Sequence, residues 1–106
     1  IKKLSQELKV AEDLATSIAQ KNVRERMAEL ILMLKESYGK PSSKGTLIDL
    51  QLTREEMAEM IGATLETAIR LISEFRKEKI IEIENRKIRI LNVKMLVDLA
   101  GLDLYS

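Results

Sequence analysis

Glu66 and Arg70 are the residues of this 106-residue chain whose types and spacing suggest chemistry most directly. They lie at positions i and i+4, so on a helix they share one face. A glutamate accepts a hydrogen bond from the exocyclic amine of cytosine, and an arginine donates in bidentate fashion to O6 and N7 of guanine. On a helix that enters a DNA groove, the pair could therefore read a single G·C base pair from both edges, and without such a motif the salt bridge described next would be favoured. The alternative is an exposed salt bridge within the helix, worth only about 0.3 to 0.5 kcal/mol.

Leu65 and Ile69 flank this pair on the same predicted surface. Leucine cannot hydrogen-bond to guanine, and isoleucine can at most pack on the methyl group of thymine. Both belong to the predicted base-reading set, and weaker discrimination is expected at the bases that they face.

Contacts to the phosphate backbone are predicted at three places. Thr64 and Thr67 fall in the first turn of the helix that carries the reading pair, where hydroxyls and free amides can meet phosphate oxygens, and Arg54 starts the preceding helix. The simpler alternatives are a helix cap for Thr64 and a solvated charge for Arg54. Arg86 and Lys87 lie in a predicted turn, where they either contact adjacent DNA backbone or are merely exposed.

A helix-turn-helix is predicted to position these side chains. Thr53 and Glu56 have the spacing of a capping box, so a helix should begin just after Thr53. Gly62 is expected to end that helix, and Thr64 to cap a second one that continues to about Glu78. The buried face of the second helix should contain its apolar residues spaced three and four apart, Ala68, Leu71, Ile72 and Phe75.

The remaining patterns add strands and two further helices. Isoleucines on both sides of a polar turn at 84–87 predict a β-hairpin wing: Ile80, Ile81, Ile83, Ile88 and Ile90. A short strand is predicted within 46–52, an exposed loop over 39–45, and a terminal helix over 93–102 that ends near Gly101. The predicted fold class is mainly α with a small β component, a winged helix-turn-helix preceded by a long N-terminal helix.

The N-terminal residues have the pattern of a coiled-coil helix. Apolar residues fall alternately three and four apart, as at heptad positions a and d: Ile1, Leu4, Leu8, Ala11, Ala15 and Ile18. This predicts a helix that packs against a partner helix, with folding back onto its own domain as the alternative. The apolar phase changes near Lys21 and Asn22, where a hinge is expected. A second stripe then follows: Val23, Met27, Leu30, Ile31, Leu34 and Tyr38.

Composition excludes several classes of function. The chain has no cysteine and no histidine, which removes disulfides, thiolate chemistry, the usual zinc ligands and the commonest general base. We expect no enzyme activity, no metal site and no cofactor in this chain. The three aromatic residues provide almost no stacking platform for single-stranded nucleic acid. With a net charge of only +1, any affinity for DNA must come from local placement of Lys and Arg.

A cytoplasmic protein without a membrane partner is expected. No apolar run approaches the roughly 20 residues that span a bilayer. The start has no hydrophobic stretch and cleavage site of a signal peptide. The chain opens at Ile1, without methionine and already in a helical pattern, which suggests a fragment or a processed product.

The stretch LTREEMAEMIGATLETAIRLISEF, residues 52–75, resembles the C-terminal half of the Crp/Fnr superfamily of bacterial transcription regulators. The residues that match the first helix and turn of that family are Leu52, Thr53, Arg54, Glu56, Met57 and Gly62. Those that match its recognition segment are Glu66, Thr67 and Arg70. The chain departs from well-known members at Leu65, where one branch has arginine, and at Ile69, where another has serine, so base preference should shift there.

The resemblance implies a dimeric regulator. Residues 1–21 would be the end of its dimerisation helix and 22–106 its winged-helix DNA-binding domain. It implies an inverted-repeat target with TGA-like half-sites, with reading helices about one DNA turn apart, roughly 34 Å. Any effector would bind an N-terminal sensor domain missing from this chain, and RNA polymerase is a further candidate partner.

The leading hypothesis is a sequence-specific binder of double-stranded DNA, the output domain of a dimeric bacterial regulator whose recognition helix covers about 64–78. The main rival is a winged helix used as a protein–protein interaction module without specific DNA binding. An affinity that falls steeply with salt would favour the DNA hypothesis, because binding to phosphates releases counterions.

Overall fold

The predicted winged helix-turn-helix is present in the computed structural model, which describes residues 23–101. Helix α1 covers residues 23–38 of this range. It is followed by β1 (Gly39–Ser42), β2 (Gly45–Ile48), α2 (Arg54–Ile61), α3 (Leu65–Lys77), β3 (Ile81–Glu84), β4 (Lys87–Ile90) and α4 (Val93–Leu99). The fold class, mainly α with a small β component, is confirmed over the described range. The seam from Ile1 to Ile18 and the boundary at 21/22 lie outside the described residues and stay predictions.

The predicted capping residues define both helices of the motif. The Thr53 hydroxyl accepts from the backbone N–H of Glu56 at 3.0 Å, and the Glu56 carboxylate accepts from the N–H of Thr53 at 3.1 Å. At the other end of α2, Gly62 adopts a left-handed φ of 69°, a conformation that costs other residues free energy. The Ala63 N–H then donates to the Ala58 carbonyl at 2.8 Å. These hydrogen bonds fix the short turn between α2 and α3.

The apolar face of α3 forms the centre of the core. Its buried residues are the predicted ones, Ala68, Leu71, Ile72 and Phe75. They pack with the buried face of α1 and with isoleucines of the sheet in one cluster: Met27, Ala28, Ile31, Leu34, Ile48, Ile81, Ile88 and Ile90. Because one face of α3 is held in this way, its opposite face is fixed toward solvent.

The sheet has four antiparallel strands in the order β1-β2-β4-β3. Strands β3 and β4 form the predicted wing, and Thr46 and Leu47 of β2 pair with Ile90 and Arg89 of β4. The buried Arg89 side chain donates to Glu84 of β3 and to Ser42 of β1, so it links the β3–β4 hairpin to the β1–β2 hairpin. Its hydrogen bond to Glu84 lowers the pKa of that carboxyl. The wing is thus continuous with the rest of the sheet.

Two expectations from the sequence are wrong. Residues 39–45 are not only an exposed loop, because Gly39–Ser42 forms the edge strand β1, paired with β2. An edge strand tolerates Pro41, since one side of the strand has no pairing partner. Tyr38, assigned to the second apolar stripe, has 46% of its surface exposed, because α1 ends there and the chain enters β1 directly.

Within residues 23–101, none of the helices is long and apolar enough to cross a membrane.

Candidate nucleic-acid interface

The predicted base-reading residues share the solvent-facing side of α3. Leu65 and Ile69 have 42% and 49% of their surfaces exposed, and Glu66 and Arg70 are exposed beside them. The arrangement presents two apolar and two charged side chains at the N-terminal end of α3.

The salt-bridge alternative for Glu66 and Arg70 is wrong in this structure. Arg70 Nη1 donates instead to Oε1 of Glu74, one turn further along α3, at 3.2 Å. No ion pair of Glu66 occurs within the described range 23–101. Base reading by this pair stays a prediction.

Glu74 is also bound from outside the helix-turn-helix. Its second oxygen, Oε2, accepts from Nη1 of Arg24 in α1 at 3.1 Å. Arg24 Nη2 donates to Glu78 at 2.8 Å, and its guanidinium lies over the ring of Phe75, 5.1 Å from the centroid. Sequence reasoning assigned no role to Arg24 or Glu74. The spacing of Arg70, Glu74 and Glu78 along one side of α3 was the only available signal.

The first turn of α3 is held by the two threonines predicted to contact phosphate. The Thr64 hydroxyl accepts from the Thr67 N–H at 3.2 Å, which confirms it as the helix cap. The two hydroxyl oxygens also hydrogen-bond at 2.9 Å. Both side chains are thus ordered at the positive end of the α3 dipole, and their phosphate contacts stay predictions.

Arg54 and Arg86 line the same cleft between the start of α2 and the wing, together with Gln51 and Ile83. Arg54 is half-buried there rather than a freely solvated charge. Burial lowers the pKa of its guanidinium, and the positive charge of Arg76 contributes to the same shift. Arginine stays protonated in proteins. A phosphate anion in the cleft would therefore offset both the partial burial of the Arg54 charge and its repulsion by Arg76.

The two basic residues predicted in the wing turn differ in their surroundings, and Lys87 is not in the turn but is the first residue of β4. Arg86 is exposed at the tip, in a two-residue turn where Asn85 and Arg86 have φ values of 51° and 66°. Lys87 instead forms an ion pair with Asp49 at 2.6 Å, and Lys40 contacts the same carboxylate at 2.7 Å. Hydrogen bonds from Lys40 and Lys87 lower the pKa of Asp49 to about 2. Arg86 is therefore the wing cation better placed for a phosphate.

Comparisons with known proteins agree with this geometry. A family model described as the Crp-like helix-turn-helix domain matches residues 25–99. The chain is 33% identical over 89 residues to the global nitrogen regulator of Synechococcus elongatus, covering 84% of this chain and 40% of that protein. It is 30% identical over 98 residues to the fumarate and nitrate reduction regulatory protein of Vibrio cholerae, covering 92% and 39%.

Solved structures give the same result. A CRP/FNR-family transcriptional regulator from Thermus thermophilus is similar with a TM-score of 0.67 at 30% identity, over 92% of this chain and 50% of that one. The CO-dependent transcription factor CooA from Carboxydothermus hydrogenoformans has a TM-score of 0.72 at 26% identity, over 92% and 45%. The chain spans about 40% of the length of the curated relatives described above. It belongs to the Crp/Fnr family of helix-turn-helix transcription regulators.

Proposed function

We propose that this domain binds double-stranded DNA sequence-specifically, as the output domain of a dimeric regulator, with α3 as its recognition helix. The observation that carries the proposal is the exposed N-terminal half of α3. There Glu66 and Arg70 project on the side opposite the buried Ala68 and Leu71. A glutamate and an arginine so placed have the hydrogen-bonding groups that distinguish a G·C pair in the major groove.

The cationic cleft supports the same function. Arg54, at the start of α2, and Arg86, at the wing tip, would bind phosphates in the cleft that they both line, beside the groove that receives α3. Thr64 and Thr67 would contact the backbone from the first turn of α3, and Lys87 would add its charge from the wing. Such contacts position a protein on the duplex without reading its sequence.

We further propose a dimer formed through the helix of residues 1–21, acting on an inverted repeat with TGA-like half-sites. The two α3 helices would then enter the major groove about 34 Å apart. Any effector site belongs in the part of such a regulator that these 106 residues do not include. RNA polymerase is the proposed protein partner and the cytoplasm the proposed location.

Fluorescence anisotropy tests this function directly. The chain would be titrated against a duplex with TGA half-sites in an inverted repeat and against a scrambled duplex of equal length, over a series of salt concentrations. We expect tighter binding to the repeat and a logarithm of affinity that falls linearly with the logarithm of salt concentration. Fusing the N-terminus to a dimeric coiled coil would separate weak dimerisation from absent recognition. Equal affinity for the two duplexes, with and without the fusion, would contradict the proposal.

A second candidate function, protein interaction without DNA, is favoured by one observation. An apolar groove between α1 and α2 includes Met33 and Met60, with 66% and 56% of their surfaces exposed. Methionine is common on surfaces that adapt to protein partners. The anisotropy experiment decides between the two functions, because a domain that binds only proteins, through this groove, would bind neither duplex.

Replacing Arg86 with glycine separates the wing's charge from its shape. Arg86 has a left-handed φ of 66°, which glycine adopts more easily. We expect Arg86→Gly to keep or slightly raise thermal stability while weakening binding to both duplexes by a similar factor. The logarithmic salt slope should fall by about one unit, as expected for the loss of one phosphate contact.

Asn85→Gly is the matched control, because it changes the neighbouring residue of the same turn without removing a charge. It should leave the salt slope unchanged. An unchanged slope in Arg86→Gly would show that the wing tip does not contact the backbone.

A further inference from the structure

The carboxylate of Glu74 joins α1 to the predicted reading residue Arg70. Each of its oxygens accepts from a different guanidinium: Oε1 from Arg70 on the same helix and Oε2 from Arg24 on α1. The two contacts are 3.2 Å and 3.1 Å long. Glu74 is half-buried, with 39% of its side chain exposed. Glu74 therefore lies between Arg24 of α1 and Arg70 on the exposed face of α3.

Of the two arginines that contact Glu74, Arg24 is the less exposed and makes the larger number of contacts. Its guanidinium stacks over the fully buried ring of Phe75 and bridges Glu74 and Glu78, so that only 28% of its side chain is exposed. Arginine is suited to this role, because its planar group stacks on a ring face and donates from separate nitrogens. The position of Glu74 therefore depends on α1 as well as on α3.

We propose that Glu74 is a positioning residue for base recognition, holding the Arg70 guanidinium in a restricted pose while Arg24 holds Glu74. The inference rests on the proposed function, in which Arg70 reads a guanine. Arg70 gives one N–H of Nη1 to Glu74 and keeps its other donors for O6 and N7. Restricting a flexible side chain before binding lowers the entropy lost on complex formation.

Charge balance explains why a carboxylate is tolerated near this face. Alone, Glu74 would repel DNA phosphates and weaken binding to every sequence. Arg24 and Arg70 together offset the charges of Glu74 and Glu78, so that the remaining effect of Glu74 is on the direction of Arg70. Specificity at the guanine therefore depends on a residue that touches no base.

Glu74→Gln tests the proposal in the 106-residue chain. Glutamine keeps the shape of the side chain but has a single oxygen acceptor, so it cannot accept from both guanidiniums through separate oxygens. The measurement is the ratio of affinities for the TGA inverted repeat and for the same duplex with its G·C pairs changed to A·T. We expect Glu74→Gln to lower this ratio by about threefold to tenfold, a typical coupling between neighbouring charged side chains.

Glu78→Gln is the matched control. Glu78 shares Arg24 with Glu74 and is the C-cap of α3, four residues after Glu74, where it makes no contact with Arg70. Its substitution should leave the ratio unchanged. The proposal would be overturned by an equal loss in both variants, or by a Glu74→Gln variant that binds both duplexes more tightly by the same factor.

A double-mutant cycle with Arg70→Ala separates this inference from the proposed function. If Glu74 acts through Arg70, then Glu74→Gln should change the ratio in the wild-type background and not in Arg70→Ala. A further drop in the Arg70→Ala background would overturn the positioning role. A wild-type chain that does not distinguish the two duplexes would instead contradict the proposed function itself.

Discussion

Arg70→Ala is expected to abolish most of the domain's preference for a guanine in each half-site. A bidentate arginine contributes about 1 to 3 kcal/mol of discrimination at its base, equivalent to about 5- to 150-fold in relative affinity. The folded state should be little affected, because the substitution removes only an exposed ion pair with Glu74, worth about 0.3 to 0.5 kcal/mol. Anisotropy with the TGA duplex and its A·T-substituted counterpart measures the change, and thermal unfolding checks the fold.

Lys77→Ala provides the charge-matched control for this experiment. Lys77 is exposed at the last turn of α3, away from the predicted reading residues. Its loss should reduce affinity for both duplexes equally or leave both unchanged. If Arg70→Ala gave the same uniform reduction, Arg70 would be a phosphate contact and base recognition would have to come from elsewhere on α3.

Gly45→Ala is expected to destabilise the domain by about 2 to 4 kcal/mol, combining backbone strain with overpacking. Gly45 has a φ of 109°, and a Cβ there would lie 2.1 Å from the carbonyl oxygen of Ile90. That oxygen belongs to the backbone of β4, whose position is fixed by the buried Ile90 side chain. Relief of the clash therefore requires β2 to move away from β4. Urea denaturation of the wild-type chain and of Gly45→Ala at one pH measures the loss in free energy of unfolding.

Comparison with Gly62→Ala separates backbone strain from overpacking as causes of the lost stability. Gly62 also has a left-handed φ, 69°, but a Cβ there meets no atom within 4 Å. Its substitution should cost only the conformational strain, about 1 to 2 kcal/mol. If the two alanine variants lost equal stability, the approach of Gly45 to Ile90 would not be the reason for glycine at position 45.

Local physical rules explain the parts of the fold that could be predicted from sequence. The capping box of Thr53 and Glu56, the left-handed Gly62 and the buried stripe of α3 each depend on residues within a few positions of one another. Helical periodicity and hydrogen bonds at helix ends are determined at that range. The same is true of the wing, whose isoleucines alternate around a turn of two residues.

Strand β1 could not be predicted in this way. Its sequence, GKPS, has the composition of a loop, and it becomes a strand because β2 offers it an edge. On its other side β2 pairs with β4, more than forty positions along the chain. Residues with low intrinsic strand preference are thus paired through tertiary context.

The sequence alone determined which residues face outward on α3 and where that helix begins and ends, because these properties follow from the period and the caps of one segment. Only the tertiary structure decided what those residues touch. Glu74 is held by Arg24 from fifty positions away, Lys87 forms an ion pair with Asp49, and Arg86 joins Arg54 in one cleft. The physical reason is that ion pairs between distant segments form only where packing of the core has already placed their backbones side by side.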